Sequence, residues 1–331
     1  MASKRHRHHQ VPKLLLRAFS TDGKVQMRLR SGESKPVGLD SAAVQEHFYA
    51  YFDANGIRNN EIESYLASEV DNPFAPVLRA LTAGGSVADP VTVARFVGWQ
   101  VARSPRFRAI DAELAERLGP MLAAVAATSA WARDRNTSDW SEEAARAVFD
   151  EARADPPDAY RVTADVNSCL RLMLRQAAHL DEALRDAHWC VAVADRDVFV
   201  LGDSPVELFR PDLPLGAFGG FQFTSDTEIR MPLSPRHVLL GSVSGLSAQR
   251  IRATPQLIAS VNYGQSRSCY RALFGRPGSS VLAAVELAAR PTPLPEPTIR
   301  LSAGTPGART MIDFPVLNDS VLDEIIDRTQ P

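Results

Sequence analysis

Three of the seven histidines, His6, His8 and His9, fall within four positions of one another. The step Val11-Pro12 and the apolar run Leu14 to Leu16 follow directly. Histidine changes charge near neutral pH and binds metal ions as the neutral imidazole. Proline fixes its own φ and steers the residue before it away from helix, so the cluster is expected to join the fold as extended chain. Two readings follow: a reactive group delivered on a pinned strand, or a solvated basic terminus. As a metal ligand or general base, His9 needs a carboxylate to fix its tautomer. The plainer alternative is a half-buried imidazole bonded to a backbone carbonyl. His6 and His8 read as part of a flexible basic arm.

Acids and arginines that could join His9 lie far along the chain. Glu63 and Glu69 are six residues apart on an expected helix, about 240° of rotation, so they do not share a face. Glu63 is the better placed of the two, with Asp53 and Glu61 as alternatives. Gln100 and Arg103 are three apart and project from one face of an apolar helix carrying Phe96, Val97, Trp99 and Val101. Burying that pair requires an anionic partner, either an internal acid or a phosphate or carboxylate of a substrate. Asp203 follows the apolar strand Val198 to Leu201 on a Gly-Asp-Ser-Pro turn. That position suits a metal ligand or catalytic acid, and equally an Asx-turn bonded to nearby backbone. His188 and Cys190 share a strand face, but their apolar setting favours an inert buried thiol.

The elements that would position these groups read as α+β: an N-terminal helical bundle, then a small, mainly antiparallel sheet and a C-terminal helix. Residues 24–38 alternate apolar and polar around Ser31-Gly32-Glu33-Ser34, a hairpin signal. Helical periodicity runs over 59–81, interrupted at Asn72-Pro73. It runs again over 91–118 with a break at Ser104-Pro105, in a segment after Gly119, in one capped by Ser141, and over 162–187. The pattern then turns to strands: a hairpin of 188–194 with 198–201, and candidates at 228–231 and 237–240. Helix returns over 255–274. We therefore expect one α+β domain over 1–290, with its helical part about 59–187 and its sheet part about 188–274. A Pro-rich tail over 291–331 should end in a short helix near Asn318.

Composition excludes several chemistries. Net charge is -2, yet residues 1–36 carry nine Lys or Arg against Asp22 and Glu33, a surplus of 9 - 2 = +7. No lysine follows Lys35. The body therefore offers no Schiff-base lysine and no phosphate-binding loop ending in GK[ST]. Cys169, Cys190 and Cys269 are isolated, which argues against a structural zinc site or disulfide framework and fits a reducing cytoplasm. No secretory signal is apparent, because Arg17 interrupts the short Leu run, and Pro120 to Ala132 is too short to span a bilayer.

The string HQVPKLLLRAF (His9 to Phe19) resembles the HxVPxxxLRxF opening of the domain-of-unknown-function family DUF4238. Further strings in matching order are EIESYLASE (61–69), FVGWQVARSPRFR (96–108), FVLGDSPVEL (199–208) and MPLSPRHVL (231–239). Gly202 departs from the serine common at that place in related chains. The resemblance implies fold membership and site candidates, not a reaction. Its strings supply one histidine, two or three acids and an arginine. On that basis the leading expectation is a metal-dependent hydrolase acting on an anionic, phosphodiester-like substrate. His9, Glu63 and Asp203 would hold a divalent metal ion that activates water, and Arg103 would act with them. Arg17, Gln100 and Arg103 would bind the substrate. The alternative is a non-enzymatic module that binds nucleic acid or protein through its basic N-terminal segment.

Overall fold

The structure is a computed structural model that describes residues 7–53, 55–133, 141–155, 166–209, 227–246 and 248–287. The expected tail helix near Asn318 lies outside the described residues.

Strands come first. Strand β1 (Arg7–His9) pairs antiparallel with β4 (Val44–Glu46), placing His8 opposite Gln45. Pro12 then starts helix α1 (Lys13–Ala18), which buries Leu15 and Leu16, with Phe19 buried just beyond it. The expected hairpin forms as β2 (Lys24–Leu29) and β3 (Ser34–Gly38). A small ribbon of β5 (Tyr51–Phe52) and β6 (Arg58–Asn59) follows. Helix α2 (Glu61–Tyr65) runs into a π-helical segment, Leu66–Asp71, and then into α3 (Asn72–Thr82). The expected interruption at Asn72-Pro73 does not occur, since the helical path continues from the π-helical segment through Pro73. Asp89 caps α4 (Pro90–Ala102) by accepting from the Thr92 N–H. Pro105 opens α5 (Pro105–Arg133), which continues through Gly119 and Pro120 as one helix. Ser141 caps α6 (Glu142–Ala154) as its sequence signals, and α7 spans Val166–Ala183.

Two larger sheets follow from the remaining strands: β7 (His188–Val193), β8 (Leu201–Gly202), β9 (Glu207–Phe209), β10 (Glu228–Ser234), β11 (His237–Ser242), β12 (Arg250–Arg252) and β13 (Ala272–Gly275). The five-stranded sheet has order β12-β7-β11-β10-β9 and is mixed, since β12 runs parallel to β7. The four-stranded sheet has order β3-β2-β13-β8. Helix α8 (Pro255–Ser268) precedes β13, and α9 (Ser280–Ala284) follows it.

The expectation of an N-terminal helical bundle is thus corrected: among the described residues six short strands precede the first long helices, and helices are spread along the chain. The reason is long-range pairing. β13 sits between β2 and β8, so the N-terminal hairpin is completed by residues some 240 positions later. The same pairing overturns the expected hairpin of 188–194 with 198–201, because β7 pairs β11 and β12 while β8 joins the other sheet. It also ends the expected helix over 255–274 at Ser268.

The chain forms two compact units, one of Met1–Ala109 with Leu172–Leu294 and one of Ile110–Arg171 with Pro295–Pro331. In the first, Ala192, Val198, Phe199, Val238 and Val261 of α8 form a buried apolar core. Val200, Cys269, Leu273 and Leu282 form another beside α9. In the second, Ala124, Phe149 and Ala152 pack together. Among the described residues no helix is long and apolar enough to cross a membrane.

Candidate functional site

Side chains alternate across a strand, so β1 sends His8 and His9 to opposite sides. His8 is the one turned inward. It is fully buried, stacks on Tyr49 with ring centroids 5.6 Å apart, and its Nδ1 accepts the Tyr49 N–H at 2.7 Å. That bond leaves the proton of the neutral ring on Nε2. His9 turns toward Lys13 and Asp40. Burial, helped by the Lys13 charge, pushes its pKa down to about 4, so the imidazole is neutral at pH 7.

Near Tyr49 lies Arg103, whose side chain is 2% exposed. Its Nη2 bonds Asp71 Oδ1 at 2.6 Å, and its Nε donates at 2.9 Å to Gln100, whose amide oxygen faces the guanidinium. Asp71 closes the π-helical segment, and Arg103 follows the last turn of α4. Burial pushes the pKa of Arg103 down, but the charge and hydrogen bond of Asp71, together with Tyr49 and Glu63, more than offset it and raise it. The Tyr49 hydroxyl reaches the carbonyls of His9 at 3.4 Å and Arg103 at 3.5 Å. Glu63 lies within electrostatic reach of both Tyr49 and Arg103. The fold therefore gathers Glu63, Gln100 and Arg103 around Tyr49, with the backbone of His9. Arg17 is exposed in the last turn of α1.

Asp203 has other surroundings. Its carboxylate accepts the N–H groups of Tyr270 (2.6 Å), Arg271 (2.6 Å) and Ala272 (3.1 Å), and so clamps the turn between α8 and β13. Burial nonetheless pushes its pKa up to about 6. Among the described residues no three His, Cys, Asp or Glu side chains converge to hold a metal ion. His9, Glu63 and Asp203 are accordingly not assembled into a three-ligand centre.

A different acid occupies the most unusual environment. Glu207 begins β9 directly opposite Arg230 of β10. It is 7% exposed, and burial pushes its pKa up to about 7 against the pull of Arg230, Arg106 and Arg267. Its Oε2 has no hydrogen-bond partner among the described residues, and neither does the buried Nε of Arg267. The carboxyl lies flat against α8 at Gly264, where a Cβ would stand 2.0 Å from Oε2. Only glycine leaves that space.

The surrounding cations are unevenly matched. Arg230 has its own acid: Nη2 bonds Glu228 at 2.7 Å and Nη1 bonds the Ser260 hydroxyl at 2.6 Å, while the guanidinium covers the Phe209 ring at 3.7 Å. Arg30 is held by the Ser266 carbonyl at 2.9 Å. The charges of Arg106 and Arg267 also act on Glu207. Burial pushes the pKa of Arg106 down, and the charges of Arg267 and Arg30 push the same way. Arginines so placed favour a further anion.

The family model for Protein of unknown function (DUF4238) matches residues 7–279. The chain belongs to the DUF4238 family. No curated protein and no solved structure matches it significantly. The DUF4238 span contains both the Tyr49 network and the Glu207 cluster.

Sequence reasoning passed over Glu207, although it lies within FVLGDSPVEL, and Arg106, although it lies within SPRFR. Two signals were available: an acid in an apolar strand, and Gly264 in the middle of a helix. In chemical terms this DUF4238 chain offers a carboxyl that exchanges its proton near neutral pH, flanked by cations able to hold an anion.

Proposed function

We propose that this chain binds an anionic, phosphodiester-like substrate at Arg106, Arg230 and Arg267 and hydrolyses it with Glu207 as the proton-exchanging group. The observation that carries this reading is the buried Glu207 carboxyl, unbonded at Oε2 and raised to about 7, within the field of Arg230, Arg106 and Arg267, with the buried Arg267 Nε also unbonded. As carboxylate, Glu207 takes a proton from a water molecule whose oxygen forms the new bond to phosphorus. The bond from phosphorus to the leaving oxygen then breaks, and that oxygen receives the proton from Glu207. The arginines hold the charge of the phosphoryl oxygens throughout.

This reading assigns no ion to His9, Glu63 and Asp203, which lie in separate surroundings. The alternative, binding through the basic N-terminal segment, has fewer cations to draw on. Lys13 pairs with Asp40, Lys35 with Glu33, Arg28 caps the carbonyls of Leu282 and Val285, and Arg30 bonds Ser266.

The test is hydrolysis of bis(p-nitrophenyl) phosphate, followed by released nitrophenolate, together with the rise in melting temperature caused by inorganic phosphate. Glu207→Gln should keep the phosphate-induced rise and lose about 100-fold or more in turnover. Arg106→Gln should lose the rise. Equal turnover in Glu207→Gln and the unaltered chain, or no response of the unaltered chain to phosphate, would overturn the reading.

A further inference from the structure

Resting on that reading, we propose that the substrate is a phosphate ester whose organic part is a planar ring, and that the ring lies in the groove between α8 and α9, against Tyr263.

The argument starts from the faces of α8. Residues along an α-helix advance by about 100° each. Ser260, Gly264 and Arg267 therefore share one face, and it is the face turned to Glu207 and Arg230. Ala259, Asn262 and Tyr263 form the adjacent face, which lines a groove of about 450 Å³ completed by Ser280, Val281, Ala284, Val285 and Glu286. A volume of that order suits a small ligand.

Tyr263 stands where the two faces meet. Its hydroxyl accepts from Arg267 Nη1 at 3.1 Å, so it touches the anion side, while its ring lines the groove and is 43% exposed. The Arg267 guanidinium lies 5.7 Å from the centre of that ring. A ligand with its charge at Arg267 thus has an aromatic platform one residue's width away. The rest of the groove floor is aliphatic. Asn262 turns into the core, where its amide bonds the backbone of Val198 and Val200. Ser280 and Glu286 supply polar atoms at the rim, and the carboxylate of Glu286 disfavours a second anion there. The groove therefore selects a neutral, flat and largely apolar group, with the phosphate held at the arginine end.

Calorimetric titration with inorganic phosphate and with phenyl phosphate tests the proposal. Stacking on an exposed tyrosine should make phenyl phosphate bind about tenfold more tightly than phosphate. Two variants should remove that advantage. Tyr263→Leu deletes the platform. Ala284→Trp fills the groove from α9 at an exposed position. In Ala284→Trp the affinity for inorganic phosphate should be unchanged. Equal affinities for the two probes in the unaltered chain, or an advantage that survives both variants, would overturn the groove assignment and leave the anion site standing. Failure of the unaltered chain to bind either probe would overturn both.

Discussion

The Tyr49 network and the Glu207 cluster are built from the same materials: a buried arginine, a carboxyl and an aromatic ring. In the first, Arg103 has a dedicated acid, Asp71, an amide oxygen from Gln100, and the Phe96 ring beside it. Its charge is answered from within the fold. In the second, burial holds Glu207 half-protonated at neutral pH within the field of three arginines, and Glu207 Oε2 and Arg267 Nε have no hydrogen-bond partner among the described residues. A closed network of this kind fixes how chain segments meet. The second leaves those buried polar atoms unanswered among the described residues. The comparison shows that buried charge alone does not mark a functional site; incomplete neutralisation is the more useful sign.

Breaking the closed network should have the largest effect on stability. Asp71→Ala leaves Arg103 charged, buried and without its acid, a loss of about 3–5 kcal/mol, read by chemical denaturation. The response to phosphate should persist under conditions where the variant is folded. A loss below about 1 kcal/mol would show that the network is not closed in the sense argued here.

The open cluster should instead declare itself through pH. The folded pKa of Glu207, about 7, lies above its ordinary value of 4.5, so the protonated form is favoured in the folded chain. That contribution is fully present below about pH 4.5 and disappears as pH rises through 7. Asp203, raised from 3.8 to about 6, acts with the same sign at lower pH. His9, lowered from 6.5 to about 4, acts with the opposite sign, since its contribution is lost as pH falls through that window. Glu207→Gln should therefore gain stability over the unaltered chain by about 1 kcal/mol between about pH 6 and 8. A difference that does not change with pH would show that Glu207 does not titrate in this range.

The smallest change in stability, with a complete change at the site, is expected for Gly264→Ala. Alanine favours helix by up to about 1 kcal/mol, and the atoms its Cβ meets are the end of the Glu207 side chain, which can swing aside. Stability should shift by no more than about 1 kcal/mol, while the rise in melting temperature with phosphate disappears. An unchanged phosphate response would detach α8 from the site.

Much of the local structure was legible in the sequence. Ser104-Pro105 marks a break between helices and Ser141 a helix start because proline geometry and capping are local. The β2–β3 hairpin follows from alternation over a few residues. The partner of Arg103 was legible only as an alternative between an internal acid and a substrate, because Asp71 lies 32 positions away. The placement of β13 beside β2 was not legible, since short strands carry no local record of distant partners. The expectation that His8 belongs to a flexible arm failed for a related reason. Adjacent strand residues face opposite ways, and only the pairing with β4 decides which one turns inward. Asp203 was read as either a site acid or a cap on nearby backbone. It proves to be a cap on backbone 67–69 positions away. Glu207 was missed because its character comes from burial against Gly264 and from three arginines on three different elements.

The most direct test of the central claim is calorimetric titration of sulfate, which does not itself titrate near neutrality, at pH 7 in two buffers of different ionisation enthalpy. An anion seated beside Glu207 raises the pKa of its carboxyl, so binding should draw in protons and the observed heat should depend on the buffer. Glu207→Gln should bind sulfate with no such dependence. Sulfate binding whose buffer dependence is the same in both proteins, or no binding to the unaltered chain, would contradict the assignment of Glu207 and its arginines as the anion site.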